Sequence, residues 1–339
     1  MRLRPGLRVL RRSGTEVQVG TDPRWAVRLT DLTTSEVGAL LELDDPTRAA
    51  SPRPRSGAGS GLADVAPLLT AARLTATGDG RRAEGPASAD AAVWSLLLPD
   101  GDGAALVRAR STRTVGVVGL GPTGLGVAVT LAAAGVGRVL FDDDRPVRSS
   151  DVGVGGYRWG DVGTRRDVVA ARVLRDAAPR VSVEGAVVPD LLVVVEHGAA
   201  DPARSAVLVG SGVPHLSVVV READTVVGPL VDPGHGPCLR CLDLHRADAD
   251  PVWPTLVAQL VGAPGRPDRP EVGVVAGVGA ALAAAVALTV LDGTARPRAG
   301  TTYEVGLPDA VPRVREWAVH PDCGCTALPV VGRVPVPTT

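Results

Sequence analysis

VGVVGLGPTGLG, residues 115–126, is the stretch on which the reading of this chain turns. An apolar strand runs into glycines at 119, 121 and 124, and the residues beyond continue as a helix. That spacing makes the strand–turn–helix loop in which a backbone comes close enough to a phosphate to hold it. The residue after the second glycine is Pro122, which has no N–H to offer an anion. Shape and donor count therefore point in different directions from the outset.

On either side of the loop the chain alternates strands and helices. TVGVVG (114–119) reads as a buried strand and GLGVAVTLAAAGVG (124–137) as a helix ended by glycine. RVLFDDD (138–144) is a second strand, and residues 164–178 form an arginine-rich amphipathic helix. SVEGAVV (182–188) and DLLVVVE (190–196) read as further strands, ARSAVLVGSG (203–212) as a helix and HLSVVVR (215–221) as another strand. This order predicts an α/β fold with a doubly wound, largely parallel, Rossmann-like sheet. Ahead of it lie short strands, RVLRR (8–12), EVQVG (16–20) and WAVRL (25–29). A helix capped by Thr33 or Thr34 with Glu36 in its first turn follows, and a second helix spans about 62–74. Residues 45–61 and 77–90 read as polar loops. The expected organisation is a small α+β, winged-helix-like module over 1–98, the α/β domain over 99–329 and a tail over 330–339.

The composition narrows the function classes. Among 339 residues, 45% are hydrophobic and 22% charged, enough for an ordinary globular core. A net charge of −1 removes the bulk attraction a dedicated nucleic-acid binder would show. No lysine, asparagine or isoleucine occurs, so no site here uses a lysine ammonium or an asparagine amide. Residues 272–291 hold twenty residues without a charge, but ten are Gly or Ala and no aromatic or arginine belt brackets them. A helix buried on all sides within the domain accounts for the segment without a membrane. The basic N-terminus lacks the apolar run of a secretory signal, so the expected location is cytoplasmic.

The four cysteines fall in two pairs, Cys238 with Cys241 and Cys323 with Cys325. In a cytoplasmic protein such pairs favour a metal over a disulfide, and zinc takes four thiolates tetrahedrally. The 81-residue gap between the pairs requires the end of the chain to fold back onto its middle. A closed four-thiolate shell is structural, leaving His235, His245 and His320 without a place in it and no cysteine for thioester chemistry. His197, His215 and His245 are read as packing or surface histidines, and no catalytic residue is assigned. Trp253 either lines a peptide groove or anchors core packing.

GLGPTGLGVAVTLAAAGVGRVLFDDD, then GVPHLSVVV, GPCLRC, the long apolar helix and WAVHPDCGC occur in that order over residues 114–325. This combination resembles the ThiF/MoeB family, the adenylating fold shared with ubiquitin-activating enzymes. The resemblance implies a loop at Gly119, Gly121 and Gly124 that binds ATP with magnesium, and a structural zinc on the cysteine pairs. It places a ribose-holding acid at Asp142 or Asp144 and a phosphate-binding cation at Arg166, and where the family has its magnesium-binding aspartate this chain has Glu196 or His197 instead. The chain departs from the family at Pro122, at Asp151 where the family has asparagine, and at Arg158, which falls late for the expected arginine. These departures remove positive charge and donors where a triphosphate must be clamped, and predict a degenerate ATP site.

The N-terminal module resembles the leader-peptide clamp fused to ThiF-like domains in azoline-forming peptide pathways. The implied partners are a precursor leader peptide, or a small ubiquitin-like carrier, and a YcaO-type cyclodehydratase. An extended leader is expected to add as a strand at EVQVG, with helix 62–74 closing the groove. The family's usual dimer leaves a homodimer among the expectations. Two other readings are an active adenylyltransferase acting on a carrier's C-terminal carboxylate, and an NAD- or FAD-binding oxidoreductase using the same glycine loop. The oxidoreductase has no evident proton donor and leaves the cysteine pairs unexplained.

Overall fold

The computed structural model describes residues 2–43, 59–76, 83–153, 155–261 and 269–327. The chain divides into two compact units, residues 1–109 and 110–339. The tail expected over 330–339 lies outside the described residues, as does most of the loop expected over 45–61.

In the first unit, β1 (Val9–Arg11), β2 (Val17–Val19) and β3 (Val27–Leu29) form an antiparallel sheet with β2 in the middle. The expectation that EVQVG offers a free edge is therefore corrected: both sides of β2 are paired, and the edges are β1 and β3. The reason is the two tight returns, Ser13–Thr15 and Gly20–Arg24, which fold neighbouring strands onto either side of it. Helix α1 (Thr34–Glu42) starts at Thr33, whose side chain accepts from the Glu36 N–H while Glu36 returns a carboxylate to the Thr33 N–H. This reciprocal cap satisfies two of the helix's orphan donors. Helix α2 (Gly59–Ala71) stops short of Leu74, with Arg73 in the left-handed region at φ 57°. Val9, Val17, Val19, Leu40, Leu69 and Leu74 form the unit's core. Two further helices, α3 (Ser88–Leu97) and α4 (Gly103–Arg110), lie where the sequence suggested polar loop or nothing regular. Between them, Gly103 sits so close to the Ala91 carbonyl that a Cβ would collide with it.

The second unit is built on a seven-stranded sheet. Its parallel half comprises β4 (Thr114–Val118), β5 (Arg138–Asp142), β6 (Leu191–His197) and β7 (His215–Val220) in the order β5-β4-β6-β7. Three antiparallel strands extend it: β8 (Asp224–Val231), β9 (Thr301–Gly306) and β10 (Arg313–Glu316). SVEGAVV does not form a strand; apart from one bridge at Ser182 it runs as irregular chain, because the sheet edge at β5 ends beside it. Helices α5 (Pro122–Ala133), α6 (Arg166–Ala177) and α7 (Pro202–Gly210) are the crossovers, and α8 (Leu239–Ala249) and α9 (Trp253–Val261) follow β8.

The apolar segment forms α10 (Gly273–Asp292), capped by Gly293 in the left-handed region. By length and composition alone this helix could cross a membrane. It is buried along one stripe rather than on all sides: Val275, Ala276, Gly279, Ala280, Ala283, Ala284 and Ala287 face inward, whereas Val274 is more than half exposed. Small residues at this i, i+3, i+4 spacing let α10 lie close against α5, where a Cβ on Gly126 would press on the Ala280 methyl. Its C-terminal end is fixed by Asp292, whose carboxylate takes a forked pair of hydrogen bonds from Arg110 at 2.8 and 2.7 Å, both side chains buried. Asp292→Ala would leave the Arg110 guanidinium buried without its anion, and equilibrium denaturation should show a loss of about 3–5 kcal/mol.

Candidate functional site

The parallel strands end together, and the order reverses beside β4, the position at which open α/β sheets take their ligands. A cavity of about 410 Å³ opens there. Its walls come from the end of β4 with Gly119, the acid run after β5, the end of β6 with Glu196 and His197, and Asp201, Arg204, Leu260 and Arg269.

The glycine loop is shaped by chain crowding. Gly119 adopts φ 81°, and a Cβ on it would collide with the Val195 carbonyl of β6. At Gly124 a Cβ would collide with the Gly119 carbonyl across the turn. Pro122 is the first residue of α5, where its missing N–H would be unpaired in any case. The buried Tyr157 hydroxyl donates to the Leu120 carbonyl at 2.7 Å and braces the turn from below.

The middle acid of the run, Asp143, is the hub. Its carboxylate accepts from the Leu120 N–H at 2.7 Å, from the Arg145 side chain at 2.7 and 2.8 Å and from Arg166 at 3.1 Å. Burial opposes the charge, but the Arg145 and Leu120 hydrogen bonds and the Arg166 charge prevail and hold the carboxyl at about 2. Arg166 is fully buried and also donates to Asp151 at 2.7 and 3.2 Å. Asp151 thus holds an arginine from within the protein.

Of the residues singled out from the sequence, Gly119, Asp142, Asp144 and Glu196 line the cavity; Gly121, Gly124 and Arg166 do not. Glu196 is paired with Arg204 at 2.6 Å, and its pKa is raised, chiefly by burial. Asp142 and Asp144 stand exposed at the strand end. One residue that the sequence reading left out completes the loop. Glu271, directly ahead of α10, accepts from the Thr123 N–H at 2.8 Å and its hydroxyl at 2.5 Å, and meets His197 Nε2 at 3.2 Å. Its one signal in the sequence is an acid sitting immediately before a long uncharged helix. Arg158 lies outside this network, in a turn where its N–H donates to Asp161.

The cysteine pairs meet as their spacing requires. Cys238 Sγ lies 3.7 Å from Cys323 Sγ, Cys241 Sγ lies 3.5 Å from Cys325 Sγ, and all four sulfurs fall within 4.8 Å of one another. Metal–sulfur bonds of about 2.3 Å in a tetrahedron put sulfurs about 3.8 Å apart, so the cluster could hold one metal ion. All four residues are buried. Burial, together with the neighbouring thiols, pushes Cys323 up to about 11 and Cys325 higher still; Cys241 is lowered, as hydrogen bonds outweigh its burial. A divalent cation is the natural means of making all four thiolates at neutral pH. Beside the cluster, His320 donates to Asp248 at 2.9 Å and stacks edge-on against His245. Trp253 donates to Asp243 at 2.9 Å and lies beneath the Arg246 guanidinium.

Residues 95–191, which include the glycine loop and the acid run, match the model of the ThiF family. The chain carries a ThiF-family domain. Solved structures similar to it over nearly their whole length include Escherichia coli MccB with ATP, at 17% identity and a TM-score of 0.64, covering 96% of this chain and 99% of that one. The microcin C7 biosynthetic enzyme MccB in complex with N-formylated MccA aligns at 17% identity and a TM-score of 0.65, with the same coverage. PaaA aligns at 14% identity and a TM-score of 0.62, covering 92% of this chain and 99% of that one. At such identities the likeness is one of fold. No curated protein matches the chain significantly.

The ThiF domain's loop should show its dependence on Asp143 in acid. A carboxyl lowered on folding stabilises fully above its unfolded value near 3.8, and that contribution is lost as pH falls through about 2. Asp143→Asn should flatten the stability profile between those limits in acid-denaturation measurements, while leaving the stability near neutral pH lower than that of the parent.

Proposed function

We propose that this chain binds a peptide, either a precursor leader or a small carrier, and presents it to a modifying enzyme of the YcaO cyclodehydratase type in the cytoplasm. Its ThiF domain serves as a scaffold with a degenerate ATP site, and zinc on Cys238, Cys241, Cys323 and Cys325 clamps the C-terminal segment to α8. The observation that carries this reading is the engagement of Arg166. The cation that the family resemblance assigns to phosphate is buried in an ion pair with Asp143 and Asp151 and is not part of the cavity lining. Adenylation rests almost wholly on positioning and neutralising a triphosphate, so the loss falls on the step itself.

The peptide-binding part rests on the first unit. β3 is a sheet edge, and an extended peptide gains main-chain hydrogen bonds by adding there. Arg24 and Arg28 flank that edge, suited to an acidic leader, although Asp22 and Glu16 already pair with them. MccB, similar along its length, has been captured with N-formylated MccA, which supports a peptide as the ligand class.

A second reading, an active adenylyltransferase for a carrier's C-terminal carboxylate, draws on Asp142 and Asp144 lining the cavity and on the MccB structure that holds ATP. The two are separated by one pair of measurements on the purified chain. The binding reading expects hydrogen-exchange protection over Val27–Leu29 when a candidate leader peptide is added, with no exchange of pyrophosphate into ATP. Exchange stimulated by a carrier ending in Gly-Gly would establish the adenylating reading instead. Elemental analysis should return one zinc per chain, and Cys238→Ser should lose it together with most of the protein's resistance to unfolding, since structural zinc contributes about 10–16 kcal/mol in small zinc peptides.

A further inference from the structure

The glycine loop already carries anions supplied by the protein. The Leu120 N–H is given to the Asp143 carboxylate, the Thr123 N–H to Glu271 and the Gly119 N–H to the Asp142 carbonyl at 3.3 Å; Pro122 has none. The Leu125 N–H is engaged within the helix by the Gly121 carbonyl at 2.9 Å. Glu271 lies directly against the loop: a Cβ on Gly121 would collide with its Oε1. Its side chain is 3% exposed and stands at the N-terminus of α5, where the helix's partial positive charge favours an anion. His197, on the cavity wall, holds the carboxylate's other oxygen at 3.2 Å. This is the position where a strand–turn–helix loop of this type receives a phosphate.

The cavity beyond the loop is matched to the same conclusion. Its lining carries five carboxylates, at Asp142, Asp143, Asp144, Glu196 and Asp201, against three guanidiniums. Each guanidinium is already paired: Arg145 with Asp143, Arg204 with Glu196 and Arg269 with Glu222. A polyphosphate would meet a net-negative wall with no uncommitted cation among these three. By contrast, the exposed carboxylates of Asp142 and Asp144 are acceptors suited to a pair of neighbouring hydroxyls.

We propose that Glu271, which is not itself in the cavity lining but meets it through His197, is the specificity-determining residue of this site. Its carboxylate occupies the loop's anion position permanently, so the cavity takes a neutral, diol-bearing ligand of the nucleoside class and rejects the corresponding triphosphate. This rests on the reading above that the domain does not adenylate, and supplies its physical cause. The bond to Thr123 and the bond to His197 make Glu271 part of the loop's own hydrogen-bonding, and a phosphate could reach the Thr123 N–H only by displacing it. Two anions brought together in a partly buried site repel strongly, which sets the direction of the selectivity.

Calorimetric titration of the full chain with adenosine, with ATP and magnesium, and with tripolyphosphate tests this. The parent protein should bind adenosine at least about ten-fold more tightly than ATP and show no binding of tripolyphosphate. Glu271→Ala should raise ATP affinity by about ten-fold or more with adenosine affinity little changed, and Glu271→Gln, which removes the charge and keeps an acceptor for Thr123, should give a smaller rise. Should Glu271→Ala fail to fold, Glu271→Gln and the parent's own ranking of the ligands decide the matter. The inference is overturned if the parent binds ATP more tightly than adenosine, if adenosine does not bind, or if neither variant gains affinity for ATP. Tight ATP binding without pyrophosphate exchange would overturn this inference alone; exchange would overturn the non-adenylating reading as well.

Discussion

The buried carboxylate of Asp143 is the constraint on which the second unit's ligand-facing end is built. It joins three pieces of chain that are distant in sequence: the glycine loop through the Leu120 N–H, the turn after β5 through Arg145 and helix α6 through Arg166. A carboxylate survives such burial only when its lone pairs are filled by charged or backbone donors, and here they are. Asp151 is the second acid on Arg166, so one buried guanidinium bridges two carboxylates. In a nucleotide site the incoming anion commonly supplies part of what holds the loop; in this chain the protein provides that part from its own side chains.

Much of the fold was legible because its signals are periodic. Strands β4, β6 and β7 are largely apolar runs, as strands covered on both faces must be, and α6 between them carries amphipathic spacing. Thr33 with Glu36 announced α1 through a side-chain pattern specific to helix starts. What failed was of a different kind. SVEGAVV has the β-branched composition of a strand but lies past the edge of β5, where no further partner strand exists among the described residues. Helices α3 and α4 are short and rich in alanine, with only two or three buried positions each to mark them, so composition read as loop outweighed a weak period. EVQVG was recognisable as a strand, but its place in the middle of the sheet depends on how the turns close, which pairing alone determines.

The candidate site shows the same division. The cysteine pairs could be joined on paper because four thiols in two tight turns have few other uses, and their sulfurs do meet. Gly119, Asp142, Asp144 and Glu196 reach the cavity because their places at strand ends follow from the alternation itself. Arg166 was placed correctly on α6, yet charge alone could not say which way it would be spent. Glu271 was invisible for a simpler reason: it lies 148 residues from the Thr123 it serves, and no local pattern links the two. Long-range partners of a single side chain are set by packing, and packing is what a linear reading lacks.

The crowding at Gly119 and Gly124 bears on how such loops persist. Both positions exclude a side chain because neighbouring backbone occupies the space, whatever the cavity contains. Selection for a well-folded sheet is therefore sufficient to retain the glycine signature long after a cofactor has gone. A descendant that has changed occupation would keep the fingerprint of its ancestor, and the informative positions for tracing such a change are the variable ones between the glycines and the distant acids that close over them.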